Sequence, residues 1–376
     1  MAILVGVVYG QCRKSLVSDI HSPIRLGELE LANRVVMAPM TRDRAGPGDV
    51  PTNIVAEYYR QRASAGLIVT EGTQPSPAGK GYWRTPGIHS EAQVAGWRAV
   101  ADDVHAAGGR IVMQLMHCGR ASMRANKDPE AETVAPSALQ CPDPIPGPDG
   151  VPQATDMPRA LETGEIPGVI AEYAAAARNA RRAGIDGVEL HCASGYLPMQ
   201  FLSSNSNRRS DRYGGTVENR VRFAIETLEA LANAIGPGRV GFRICPGVTL
   251  NGMADADPAE TYETLLRAVN GLGLAYVHLI HVPNPGFDSL ELVRANWSGP
   301  VIENCGLTLD KANAVLAAGK AEAVSFGYGF IANPDLVERF RSGAPLAKAD
   351  KETFYTGLGD DRRGYTDYPR ADSMLD

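Results

Sequence analysis

The sequence predicts an α/β fold closed into a (β/α)8 TIM barrel, and three observations carry that prediction. Short, nearly continuous apolar runs of the kind that form strands buried on both faces recur along the chain from residue 33. Each run is followed, after a Gly or a polar break, by a segment of helical periodicity. The alternation repeats eight times within 376 residues, a length that suits one large barrel with insertions. A doubly wound open sheet would share the same alternation, so the pattern alone leaves that architecture open.

In chain order, strands are expected at Val35–Pro39, Leu67–Glu71, Arg110–Met116, Gly187–His191, Val240–Cys245, Ala275–Ile280, Val301–Asn304 and Ala323–Phe326. Helices are expected near Asn53–Ala65, Glu91–Ala107, Ile166–Ala183, Val217–Ile235, Pro258–Leu272, Asp288–Asn296, Leu309–Ala318 and Pro334–Arg341. Ser90 with Gln93 and Asp257 with Glu260 have capping-box spacing, and Pro258 and Pro334 suit first-turn positions. Two features fall outside the repeat. His21–Leu31, centred on Gly27, reads as a hairpin plugging the barrel bottom. Residues 118–164 form a Pro-rich excursion after the third strand, too long for a plain connector and therefore a lid or subdomain. Residues 1–20 read as a disordered or strand-like extension, and residues 21–376 as a single domain.

Composition narrows the function. The 37 Lys+Arg against 43 Asp+Glu give a net charge of −6 without long like-charge blocks, which argues against nucleic acid and polybasic membrane binding. No run of about 18 apolar residues is present, so no membrane-spanning helix is expected. Ala2–Tyr9 is apolar but lacks the preceding basic residues of a secretory signal. The six cysteines are widely spaced, which favours reduced thiols in a cytoplasmic protein.

In a barrel, chemistry gathers at the C-terminal ends of the strands. Those ends carry Met40–Arg42, Glu71–Thr73, Gln114, His191–Tyr196, Arg243, His281, Asn304–Gly306 and Gly327–Gly329. Arg243 and Gln114 interrupt otherwise apolar strands. A buried guanidinium needs a partner, either an anionic ligand or an internal carboxylate. The glycine-containing segments after the last two strands suit a phosphate held on backbone N–H groups, although a simple turn would look the same. Cysteines and histidines also collect at the strand ends, but without metal-ligand spacing, and no metal is expected.

Long motifs then resemble the old yellow enzyme family of FMN-dependent ene-reductases from about Pro23 to Pro369. They include NRVVMAPMTR (Asn33–Arg42), EGTQ (Glu71–Gln74), GIHSEAQVAGW (Gly87–Trp97) and QLMHCGR (Gln114–Arg120). The densest are Val188–Arg220 and Phe330–Phe340, with FYTG and GYTDYP near the end. The resemblance implies FMN held non-covalently, NADPH or NADH as reductant, and a small molecule with an electron-poor C=C bond as substrate. Thr41, Gln114 and Arg243 are expected on the flavin ring, with backbone at Pro39, Met40, Gly72, Cys305, Gly306, Gly327 and Tyr328 lining the cofactor. His191 and Ser194 would hold the substrate oxygen, and Tyr196 would protonate the α-carbon. Met116, Tyr355 and His281 would shape the substrate pocket.

Three residues depart from the family pattern. Ser194 stands where relatives carry a longer Asn or His donor. Tyr328 replaces an Arg on the cofactor phosphate, which implies weaker FMN retention. Met116 replaces a frequent Trp, which implies a wider pocket for a bulkier substrate. Desaturation or double-bond isomerisation of a biosynthetic intermediate would use the same residues and remains the alternative at this stage. A homodimer is compatible with the sequence, which does not fix the oligomeric state.

Overall fold

The computed structural model describes residues 19–284, 286–355 and 361–371, and the expected extension lies almost entirely outside them. The chain enters through an antiparallel hairpin, β1 (Ile24–Leu26) and β2 (Leu29–Leu31). Gly27 turns it with φ +58°, and a Cβ there would collide with the Gly238 carbonyl. Leu26, Leu29 and Leu31 pack against Val36, Leu67, Val112 and Tyr276, so the hairpin closes the barrel bottom as expected.

The barrel then builds through β3 (Val35–Met37), α1 (Asn53–Arg60), β4 (Leu67–Val69), α2 (Glu91–Ala106) and β5 (Ile111–Leu115). The excursion follows, with β6 (Val134–Ala135) paired to β9 (Arg159–Ala160) and a hairpin of β7 (Ile145–Pro146) and β8 (Pro152–Gln153). Ser122 Oγ donates to the Lys80 carbonyl at 2.8 Å, and Asn126 Nδ2 to that of Gly81 at 3.0 Å, which stitches the excursion to the loop after β4.

The second half runs α3 (Ile166–Arg182), β10 (Gly187–Cys192), α4 (Leu197–Leu202), α5 (Val217–Ile235), β11 (Val240–Ile244), α6 (Pro258–Val269) and β12 (Tyr276–Ile280). It ends with α7 (Ser289–Asn296), β13 (Val301–Asn304), α8 (Leu309–Ala317), β14 (Ala323–Phe326), α9 (Tyr328–Ala332) and α10 (Leu336–Ser342). Pairing of β14 with β3, Val324 opposite Val35, closes eight parallel strands into a barrel and excludes the open sheet. Burial on both faces explains the continuous apolar runs.

The caps follow the local chemistry. Ser90 and Gln93 form a full capping box, and the Asp257 side chain accepts from the Glu260 N–H at 2.9 Å. Pro334 differs from expectation: α10 starts at Leu336 behind Asp335, whose carboxylate is engaged by Arg339 at 2.8 Å, so the proline lies outside the helix. The short helices α4 and α9 were not anticipated, because one or two turns are too brief to display a helical period.

Candidate active site

A cavity of about 500 Å³ opens at the C-terminal ends of β3, β11, β13 and β14. Pro39, Met40, Thr41, Arg243, Cys305, Gly306, Gly327, Tyr328 and Tyr355 line it together with Asn304 and Phe354. The turn after β13 is shaped for close approach of a ligand to backbone. Cys305 has φ +103° and Gly306 φ +65°, and a Cβ at Gly306 would meet nothing within 4 Å. Tyr328 is 69% exposed and stacks on Phe354 with ring centroids 5.3 Å apart.

Beneath this cavity lies a buried polar network that sequence reading captured only in part. Gln114 Nε2 donates to Glu189 Oε1 at 2.8 Å, and Glu189 Oε2 lies 2.8 Å from His278 Nδ1. His278 Nε2 lies 2.7 Å from Ser325 Oγ, and Arg243 Nη1 stands 3.3 Å from the same ring nitrogen. Arg243 Nη2 donates to Asn304 Oδ1 at 2.7 Å. Glu189 and His278 were missed because each hides within an apolar strand. The available signal was register: Glu189 stands opposite Gln114, and His278 opposite Arg243.

A second group adjoins β5 and β10. The His191 and Tyr196 rings meet edge to face, with centroids 4.8 Å apart. Burial first, then Arg243, lowers the His191 pKa to about 3, and its Nδ1 has no partner. Burial also raises the Tyr196 pKa well above 10, and its hydroxyl pairs with that of Tyr82 at 3.1 Å. Tyr82 had no local sequence signal, since it lies on a loop. Met116 packs with Tyr196 and Tyr82, and its thioether fills the space that a Cβ on Gly72 would need. Ser194 adopts φ +57°, its N–H donates to Cys245 Sγ at 3.0 Å, and its carbonyl accepts from Asn251 Nδ2 at 2.8 Å.

Gly72, Gln114, His191, Ser194, Tyr196 and Met116 thus lie outside the lining of the main cavity. His281 also stands apart, with Nδ1 2.7 Å from Glu303 Oε1 and Nε2 3.4 Å from Asp288 Oδ1. Among the described residues, no group of three or more His, Cys, Asp or Glu side chains comes together as a metal site.

The donor set fits FMN. The buried Arg243 guanidinium and Thr41 line the cavity, and a glycine-bearing turn leaves its backbone open. Comparison with known proteins agrees. The family model described as NADH:flavin oxidoreductase / NADH oxidase matches residues 19–347. A probable flavin mononucleotide-dependent alkene reductase of Leishmania infantum is 40% identical over 354 residues, covering 92% of this chain and 96% of that protein. A putative 12-oxophytodienoate reductase 11 of Oryza sativa subsp. japonica is 39% identical over 364 residues, with 94% and 98% coverage. The structure of morphinone reductase in complex with tetrahydroNAD superposes with a TM-score of 0.89 at 45% identity, covering 95% of this chain and 99% of that one. The chain belongs to the NADH:flavin oxidoreductase / NADH oxidase family and is an FMN-dependent oxidoreductase that uses NAD(P)H.

Proposed function

We propose that this enzyme reduces the electron-poor C=C bond of a bulky α,β-unsaturated carbonyl or similar compound, with His191 and Tyr196 acting on the substrate. The observation that carries this reading is their edge-to-face contact beside a cavity suited to flavin. Relatives named as alkene, 12-oxophytodienoate and morphinone reductases support the reaction class. FMN, when bound, supplies hydride transfer from NAD(P)H to the alkene in two alternating half-reactions.

His191, neutral above about pH 3, donates an N–H to the substrate oxygen and draws electron density from the β-carbon. Ser194 supplies the second donor through its hydroxyl, its backbone N–H being committed to Cys245. Loss of one donor of such a pair costs about 3–4 kcal/mol, so substrates beyond the reach of a serine will turn over slowly. Tyr196, protonated throughout the working pH range, delivers its proton to the α-carbon. Thr41, Gln114 and Arg243 hold the flavin ring, and backbone at residues 39–40, 72, 305–306 and 327–328 lines it. Met116 leaves more width than the indole it replaces, and Tyr355 borders the entrance.

The sequence-based single-domain reading, with residues 118–164 as a lid, is supported by the excursion's contacts near Tyr82. A cytoplasmic location is supported by five described cysteines being free thiols. No helix among the described residues is long and apolar enough to cross a membrane. Light scattering in solution will decide between a monomer and the homodimer that the sequence allows.

The test is Tyr196→Phe in stopped flow. The alkene step should fall by about 10²–10⁴, while flavin reduction by NAD(P)H stays near wild type. Equal loss in both half-reactions would remove the proton-donor assignment.

A further inference from the structure

Gln114 on β5 and Arg243 on β11 flank β10, and one buried pair reaches both. Glu189 and His278 have fully buried side chains. Burial first, then Arg243, lowers the His278 pKa, so its imidazole is neutral. The neutral ring therefore donates Nδ1–H to Glu189 and accepts the Ser325 hydroxyl at Nε2. Burial opposes ionisation of Glu189, but His278, Arg243 and the Gln114 amide outweigh it and hold its pKa below the usual range. One fully buried carboxylate thus stands behind a guanidinium that reaches the cavity.

We propose that Glu189, held by His278, is a positioning residue that orients Gln114 and Arg243 and offsets part of the guanidinium charge, thereby weakening the site's preference for reduced over oxidised FMN. This rests on the proposed placement of Gln114 and Arg243 against the flavin ring. The physical reason is range. In a water-excluded interior, a fixed negative charge behind Arg243 acts with little screening on whatever charge develops in front of it. Glu189 is ionised before and after the reaction, so its contribution is a constant field and requires no proton transfer.

The experiment compares dissociation constants of oxidised and reduced FMN for the intact protein and for Glu189→Gln, a near-isosteric change that removes the charge and turns one of the two acceptor oxygens into a donor. The ratio of oxidised to reduced constants should rise about tenfold, equivalent to about 30 mV in the two-electron potential. A ratio within twofold of wild type would overturn the proposal, and a lowered melting temperature alone would not rescue it. If Glu189→Gln does not fold, His278→Leu poses the same question by deleting the first of the groups that keep Glu189 ionised and the link between it and Arg243. Its ratio should also rise, by at least threefold, and an unchanged ratio would again overturn the proposal. Arg243→Gln separates this inference from the reading beneath it. The ratio should fall in that variant if Arg243 faces the flavin, and no change would overturn the flavin placement itself.

Discussion

The Tyr82 and Tyr196 hydroxyls stand 3.1 Å apart, with their rings perpendicular and centroids separated by 6.3 Å. Tyr82 is carried by a loop that the excursion clamps through Ser122 and Asn126. If Tyr196 is the proton donor proposed above, the Tyr82 hydroxyl hydrogen-bonds the phenolate that donation leaves. Tyr82→Phe removes one hydrogen bond, about 0.5–1.5 kcal/mol, and should slow the alkene step by about two- to tenfold. Flavin reduction should not change. Rapid-mixing measurement of each half-reaction checks this, and an alkene step equal to wild type would contradict it.

The alkene step should be nearly independent of pH from about 5 to 9. His191 loses its proton near pH 3, so over this range it is neutral and already a donor. Tyr196 keeps its proton until well above pH 10, because burial and the neighbouring Tyr82 disfavour the phenolate. An alkaline limb with a midpoint below pH 9 in single-turnover rates would show that another group supplies the proton.

Tyr328→Arg should tighten FMN binding. Tyr328 stacks on Phe354 at the cavity edge, and Arg243 is the one cation among the described lining residues. A charge-assisted bond adds about 1.5–3 kcal/mol, or about one to two decades of affinity. Titration of the apoprotein should show that gain, and the gain should shrink with added salt. A low-nanomolar dissociation constant for the unmodified protein would contradict the premise of weak retention.

Asp43 should make stability depend on pH. Its Oδ1 has no partner, and burial first, then Glu71, raises its pKa to about 8. The unfolded value is about 3.9, so the folded state binds this proton more tightly. The stabilisation from that proton is fully present below about pH 4 and is lost as pH rises towards about 8. Asp43→Asn lacks this titration. Its melting temperature relative to wild type should therefore climb between about pH 4 and 8 and level off above. A constant difference across that range would refute the buried, protonated carboxyl.

Much of this architecture is legible in the sequence, because a strand buried on both faces must be apolar and its partner helix must show a period. The cavity-lining Thr41, Arg243, Cys305 and Gly327 were accessible for a similar reason, since each marks a strand end. Glu189 and His278 were not, since their pairing joins residues 89 positions apart through barrel register. Tyr82 escaped for want of any periodic context. His281 is harder to read: its strand-end position suggests a pocket residue, and the structure sets its ring against the Glu303 and Asp288 carboxylates, which no sequence spacing shows. Nor does spacing reveal the packing of Arg42 and Arg44 against the C-terminal segment, where they donate to the Gly364 and Thr353 carbonyls at 2.8 and 2.9 Å.

The most direct measurement is an anaerobic absorbance titration of the purified protein reconstituted with FMN. The flavin band should bleach on addition of NAD(P)H and return, stoichiometrically, on addition of a bulky cyclic enone. A protein that binds no flavin, or a bleached flavin that no activated alkene reoxidises, would contradict the account.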